Sequence, residues 1–128
     1  MAGVGTSTSA LAVGGDPASA INELWNGTNW TEVNNVNTGR QNWAGSGPDN
    51  TAALVFGGAS PPHTGKTEEW NGTNWTEVAD LSTAREGLAG AGINTSGLAI
   101  GGQVPGGNQS ALTEEWSGSS NTIKVLTD

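Results

Sequence analysis

The sequence contains no cysteine and no tyrosine, and its only phenylalanine is Phe56. Without cysteine, the chain forms neither disulfides nor thiolate metal sites. Six tryptophans supply most of its large apolar side chains, and each indole buries a large area when it packs. We therefore expect a core organised around tryptophan.

Basic residues are also scarce. Four lysines and arginines stand against 12 aspartates and glutamates, which gives a formal net charge of −8. Nucleic acids and anionic membrane surfaces bind clusters of lysine and arginine, so we expect neither as a partner. No apolar run approaches the roughly 20 residues that span a bilayer. The N-terminus lacks the basic region of a cleaved secretory signal, so we expect no such signal.

The chain is built from repeats. The segment WNGTNWTEV occupies residues 25–33 and recurs at residues 70–78, and an eroded copy, WSGSSNTIK, begins at Trp116. Self-similarity at a period of about 45 residues indicates one supersecondary unit per repeat. Each repeat also contains a Gly-Gly pair after a short apolar run: Gly14-Gly15, Gly57-Gly58 and Gly101-Gly102.

The pattern predicts four strands per repeat, named a to d: a run of small residues, the apolar run before Gly-Gly, a strand with the first tryptophan and a strand with the second. Asn-Gly or Ser-Gly between strands c and d favours a tight hairpin. In the third repeat, Asn121 stands where strand d is expected to carry tryptophan. No segment has helical periodicity. The predicted strands are 1–5, 9–14, 20–25 and 29–33, then 42–47, 51–57, 65–70 and 74–79, then 87–93, 96–101, 111–116 and about 120–126.

Four antiparallel strands per unit of about 45 residues are typical of a β-propeller blade. The units resemble kelch repeats in their apolar run plus Gly-Gly, the tryptophan that follows it, and the arginine that opens the next unit. The resemblance implies one all-β domain over residues 1–128, with blades at about 1–36, 40–81 and 85–128. The fuller pattern also resembles repeats of phage and environmental bacterial proteins, which implies a virion- or tail-associated, or an extracellular, location.

Three blades are too few for a closed ring, since propellers have at least about four. The chain starts at a strand a and stops after a strand d. We expect two chains to pair head to tail into a six-bladed homodimer. Three chains forming nine blades, a longer parent chain, and a partner protein that completes the ring are the alternatives.

Repetition predicts structural roles for most tryptophans. The first tryptophan of each repeat should pack between blades and the second should cover the outer edge; stacking on sugar rings is the alternative. Trp43 stands where the next repeat has Leu88, so it either lines the channel mouth as a ligand contact or fills space. The five repeated tryptophans are Trp25, Trp30, Trp70, Trp75 and Trp116.

Arg40 and Arg85 also occupy matching positions. We expect them to form structural ion pairs with the repeated acids; an anion site is the alternative. Adjacent acids on a strand point to opposite faces, so Glu68-Glu69 and Glu114-Glu115 do not form catalytic dyads. We expect Glu69 and Glu115 to meet the arginines and Glu68 and Glu114 to face solvent.

The loops between strands b and c lengthen from repeat to repeat, and variable loops on a rigid scaffold commonly carry binding. Their candidate ligand contacts are His63, Lys66, Gln103, Asn108 and Gln109. His63 is the only histidine, so a zinc site has no partners, and we expect neither metal nor cofactor. The predicted function is a non-enzymatic binding or structural module that contacts proteins or glycans. A purely architectural oligomer, such as a capsid decoration or fibre component, and a glycan-active enzyme are the alternatives.

Overall fold

A computed structural model describes residues 1–118 and 120–126. Within these residues the chain forms twelve strands and no helix, and therefore no helix that could cross a membrane. All twelve strands lie within about two residues of the predicted positions. They are β1 (Ala2–Gly5), β2 (Ala10–Val13), β3 (Asn22–Trp25), β4 (Trp30–Val33), β5 (Ala44–Asp49), β6 (Ala52–Phe56), β7 (Thr67–Trp70), β8 (Trp75–Val78), β9 (Ala89–Ile93), β10 (Ser96–Ile100), β11 (Thr113–Ser117) and β12 (Thr122–Leu126).

The strands form three antiparallel four-stranded sheets, each ordered as in the sequence: β1 to β4, β5 to β8 and β9 to β12. We call them blades 1, 2 and 3. The first strands pack side by side, β1 against β5 and β5 against β9. The described residues therefore form an open arc, consistent with part of a propeller-like fold, and not a closed ring.

Small residues let the inner strands approach closely. A Cβ built on Gly90 would lie 2.5 Å from the carbonyl oxygen of Gly45 on the neighbouring blade, closer than van der Waals contact allows. This close approach explains why strand a of each repeat consists mainly of glycine, alanine and serine.

Two hydrophobic clusters hold the arc together. Between blades 1 and 2, Leu11 and Val13 pack with Val55 and with Trp70 and Trp75. Between blades 2 and 3, Leu54 and Phe56 pack with Leu88, Ala99 and Trp116. In each cluster the earlier blade contributes aliphatic or phenyl side chains from its second strand, and the later blade contributes tryptophan. The two clusters have this arrangement because strand residues alternate between faces.

The hairpins between the third and fourth strands pair Trp25 with Trp30 and Trp70 with Trp75. In the first of these turns, the Asn26 side-chain oxygen accepts hydrogen bonds from the N–H groups of Thr28 (2.9 Å) and Asn29 (2.8 Å). Gly27 supplies a φ of 95°, which glycine adopts without strain.

The third hairpin differs from the sequence prediction. Trp116 pairs with Ile123 and not with Asn121, because this turn is two residues longer. Asn121 lies in the turn with a φ of 48°, and its side-chain oxygen accepts a hydrogen bond from the N–H of Ala79 at 2.9 Å. Ile123 therefore occupies the place that Trp30 and Trp75 occupy in the other blades.

Candidate functional site

Arg40 forms a buried clamp between blades 1 and 2. It lies between β4 and β5, and its Nη2 donates to Oε2 of Glu68 at 2.7 Å. Its Nη1 donates to the carbonyl oxygens of Gly57 (3.0 Å) and Lys66 (2.6 Å), and its guanidinium lies 4.4 Å from the ring centroid of Trp43. Burial lowers the pKa of Arg40, and Glu68 opposes that shift.

Arg85 repeats this geometry between blades 2 and 3. Its Nη2 donates to Oε2 of Glu114 at 2.6 Å, and its Nη1 donates to the carbonyl oxygens of Gly101 (2.6 Å) and Leu112 (2.9 Å). Both arginines and both glutamates are fully buried. These guanidinium groups hold blades together and are not accessible to an anionic ligand.

The predicted choice of acids was wrong. Glu68 and Glu114 meet the arginines, whereas Glu115 is exposed and Glu69 accepts a hydrogen bond from Asn94 at 3.5 Å. Side chains alternate between the two faces of a strand, so Glu68 and Trp70, two residues apart, face the same way. Both face the preceding blade, and Arg40 lies in the segment that connects that blade to blade 2.

The loop face is the end of the arc formed by the b–c loops and by the segments that lead into each first strand. Bridges join Gln41 to Ala59 and Glu86 to Gln103 on this face. Nε2 of His63 lies 3.2 Å from Oε1 of Glu86, and Asn42 donates to Oε2 of Glu86 at 3.1 Å. Residues from three separate segments thus form one polar cluster, which we call the His63 cluster: His63, Glu86 and Asn42.

The other loop candidates lie on the same face without joining this cluster through their side chains. Gln103 donates from Nε2 to the carbonyl oxygen of Gly107 at 2.8 Å and bridges through its backbone to Gln109. Asn108 and Gln109 are exposed.

Lys66 makes its side-chain contacts at the outer strand of blade 2. Its Nζ donates to Glu77 at 2.9 Å and to Thr38 at 3.3 Å, and Glu77 raises the pKa of Lys66. Lys66 therefore contacts the last strand of its own blade and not the His63 cluster.

Trp43 is not a surface residue. It packs between blades 1 and 2, and its indole N–H donates to the carbonyl oxygen of Val13 at 3.1 Å. The sequence-based suggestion that Trp43 contacts a ligand is therefore wrong. Arg40 and the cluster of apolar side chains cover its ring.

Sequence reasoning missed Glu86 and Asn42 as candidate site residues. Each lies in the short segment that enters a first strand, at the same end of the arc as the b–c loops. In a blade of four antiparallel strands, the d–a and b–c connections always share one end, so this placement was available from the predicted strand order.

A shallow depression of about 460 Å³ lies where the first strands converge and extends over β2 to Trp30 on the uncovered face of blade 1. Its lining includes Gly3, Gly45, Ser46 and Gly90, and no charged side chain. Within the residues the structure describes, no group of three or more histidine, cysteine, aspartate or glutamate side chains is arranged to hold a metal ion.

The two ends of the arc expose apolar side chains. On blade 1, Met1 and Trp30 are exposed and line a cavity of about 370 Å³ with Ala12 and Glu23. On blade 3, Ile93, Ile100 and Leu126 are exposed. Exposed apolar patches of this kind mark interaction surfaces.

No protein-family model matches the sequence, and no curated protein matches it significantly. Among solved structures, 124 chains match. One is the structure of a protein called YjhT, with a TM-score of 0.79 and 17% identity over 98% of this chain. The chain covers 44% of the YjhT chain, less than half its length. At this identity, the likeness shows the fold alone.

Proposed function

We propose that this chain is a non-enzymatic, kelch-like propeller module that binds a protein or glycan partner on its loop face. The observation that carries the proposal is the convergence of the variable loops. The b–c connections span residues 14–21, 57–66 and 101–112, so they lengthen by two residues per blade while the blades keep the same four strands. The His63 cluster lies among them: the side chains of His63 and Glu86 are 20% and 21% exposed, and Asn42 is exposed.

The surface chemistry supports a neutral or basic partner. The net charge of −8 disfavours polyanions, whereas amide and hydroxyl side chains on the loops suit hydrogen bonds to sugars and to peptide backbone. The first strands bring no charged side chain to the depression where they converge, which supports a binding role in preference to a hydrolytic one. A virion- or tail-associated location would fit such a module.

The arc is proposed to close as a homodimer of six blades, with blade 3 of one copy packed against blade 1 of the other. The first glycine of each Gly-Gly pair supports this arrangement. A Cβ built on Gly14 would meet the Trp43 ring at 2.2 Å, and one on Gly57 would meet Leu88 at 3.0 Å. At Gly101 the nearest atom is the carbonyl oxygen of Ser110 at 3.6 Å. Met1, which aligns with Trp43 and Leu88, would occupy this space in a neighbouring copy.

A purely architectural oligomer is the second candidate, favoured by the apolar side chains on both open faces. It would use the same ring but no ligand on the loops. In that role the chain would form part of a capsid decoration or of a fibre.

The test is a glycan and peptide array probed with the unmodified chain and with His63→Ala and Gln109→Ala variants. A Thr76→Ala variant, changed on the exposed outer strand β8, is the control. Binding that is lost in the loop variants and kept in the control supports the proposal. If the chain binds nothing on the array and co-purifies with a larger particle, the architectural role is favoured.

A further inference from the structure

Each buried glutamate is held by the segment that precedes its own blade. Oε1 of Glu68 accepts from the N–H of Asn37 at 2.7 Å, and Oε2 accepts from Arg40 at 2.7 Å. Oε1 of Glu114 accepts from the N–H of Ser82 at 2.7 Å, and Oε2 accepts from Arg85 at 2.6 Å. A main-chain amide and a guanidinium therefore bind the two oxygens of each carboxylate.

Glu23 holds the same position in blade 1. It lies two residues before Trp25, as Glu68 precedes Trp70 and Glu114 precedes Trp116, and it is exposed. None of the ion pairs in the described chain involves it. These pairs are Arg40 with Glu68, His63 with Glu86, Lys66 with Glu77 and Arg85 with Glu114. Lys124 lies on blade 3, in register with Glu115.

The apolar surroundings of Glu23 are uncovered as well. Trp30 is 51% exposed, whereas its counterpart Trp75 is 7% exposed. Met1 is 70% exposed, whereas its counterpart Trp43 is 4% exposed. The open face of blade 1 thus has the tryptophans and the acid of an inter-blade surface, and it lacks the blade that would cover them.

We propose that this face is the docking site for a blade of the same repeat type, and that the segment following that blade delivers an arginine to Glu23. The proposal rests on the propeller-like packing of blades in the proposed function, not on closure by two unmodified copies, and it specifies the partner's chemistry. The interior interfaces show what fits: an aliphatic second-strand face, followed by a main-chain amide and a guanidinium.

The negative charge of Glu23 determines which partner can cover the open face of blade 1. Covering the face without a cation would bury the carboxylate of Glu23 unpaired, which is strongly unfavourable. An apolar partner without an arginine therefore binds more weakly than one whose arginine restores the two-oxygen clamp. Arginine suits this site better than lysine because its guanidinium also reaches two carbonyl oxygens, as Arg40 and Arg85 do.

The experiment appends a copy of residues 81–87, LSTAREG, directly after Asp128. Arg85 lies seven residues after Val78, and Val78 and Leu126 occupy equivalent places opposite Thr67 and Thr113. The extension therefore places its arginine at the spacing of the interior clamps. A second extension carries glutamine in place of arginine, and each is made in the unmodified, Glu23→Gln and Asp80→Asn backgrounds.

The measurement is the dimer dissociation constant by analytical ultracentrifugation over a concentration series. The arginine extension should associate about tenfold or more tightly than the glutamine extension. That ratio should vanish with Glu23→Gln and persist with Asp80→Asn, which removes the same charge from an exposed acid between β8 and β9.

Equal association of the two extensions, a ratio that survives Glu23→Gln, or no association of either extended chain would overturn the proposal. The association state of the unmodified chain distinguishes this inference from the proposal that two unmodified copies close the ring. If it is a monomer while the arginine-extended chain is a dimer, closure by two unmodified copies fails and the docking site stands. If it is a dimer and arginine has no effect, only the docking site fails.

Discussion

Identical local sequences have different environments in this chain, and the difference lies in which side chains a neighbouring blade covers. The rings of Trp25 and Trp30 pack in a tilted arrangement with their centroids 5.3 Å apart, and those of Trp70 and Trp75 do the same. Both pairs lie in the segment WNGTNWTEV. Trp75 is nevertheless buried and Trp30 exposed, because blade 1 covers the face of blade 2 and no described residue covers the equivalent face of blade 1.

Substitution of these two tryptophans should separate the contribution of the hairpin from that of the interface. Trp75→Ala should lower the free energy of unfolding by about 3–5 kcal/mol, as for a large aromatic core deletion. Trp30→Ala should cost about 1 kcal/mol in dilute protein, since it loses mainly the aromatic pair. Urea unfolding measures both, and equal losses would contradict the assignment of Trp75 to an inter-blade core.

The buried clamp should be similarly sensitive. Arg40→Gln removes the cation from Glu68 and leaves a buried carboxylate without charge compensation. Breaking such a pair costs about 3–5 kcal/mol. The double variant Arg40→Gln with Glu68→Gln should recover part of this loss, as measured by thermal or urea unfolding; a double variant less stable than the single one would show that the cost does not come from an unpaired charge.

At the scale of elements, the turn between β5 and β6 ties two blades together. The carbonyl oxygen of Asn50 accepts from the indole N–H of Trp70, and its side-chain amide donates to the carbonyl oxygen of Trp25, both at 2.9 Å. The turn itself is closed by Asp49, which accepts from the N–H and hydroxyl groups of Thr51. The strand register shifts between Ser46 and Asp49 to accommodate it.

These hydrogen bonds predict a pH dependence for the turn. The hydroxyl and then the N–H of Thr51 lower the pKa of Asp49 below its ordinary value of 3.8. A depressed carboxyl pKa stabilises the fold above the unfolded-state value, and the contribution is lost as the pH falls through the folded value. Thr51→Ala should therefore raise the pKa of Asp49 toward 3.8, measured by NMR titration of the side chain. A Thr76→Ala variant, changed on the exposed strand β8, is the control and should leave the pKa of Asp49 where it is.

At the scale of the whole molecule, the arc has two unlike ends, as the proposed head-to-tail ring closure requires. Blade 1 presents tryptophan and a glutamate, and blade 3 presents Ile93, Ile100 and Leu126. Chains with complementary ends form a closed ring when the rotations between successive blades add up to one full turn.

If two copies close the ring, stability should depend on protein concentration. A tenfold higher concentration favours the folded dimer by about 1.4 kcal/mol, which corresponds to a rise in Tm of roughly 2–4 °C per kcal/mol for a domain of this combined size. Light scattering on a sizing column gives the native mass in the same samples. A Tm that does not change with concentration, together with the mass of one chain, would rule out the homodimer.

The sequence alone determined the twelve strands, their order and the three-blade division. These features depend on alternation, apolar runs and Asn-Gly or Gly-Gly turns, which act over about ten residues and are read directly from the chain. The repeat also predicted a structural arginine at each junction. It did not predict the longer third hairpin, in which Ile123 takes the tryptophan position, because an insertion in a turn leaves the flanking strand pattern unchanged.

Only the tertiary structure decided which acid meets each arginine, that Trp43 is buried, and that His63, Glu86 and Asn42 form one cluster. Each of these facts depends on contacts between segments more than 20 residues apart, such as Arg40 with Glu68 at a separation of 28. The face of a strand that a neighbouring blade covers is set by the direction from which the preceding segment arrives. That direction is a property of the assembled arc, and the local sequence of a single repeat does not contain it.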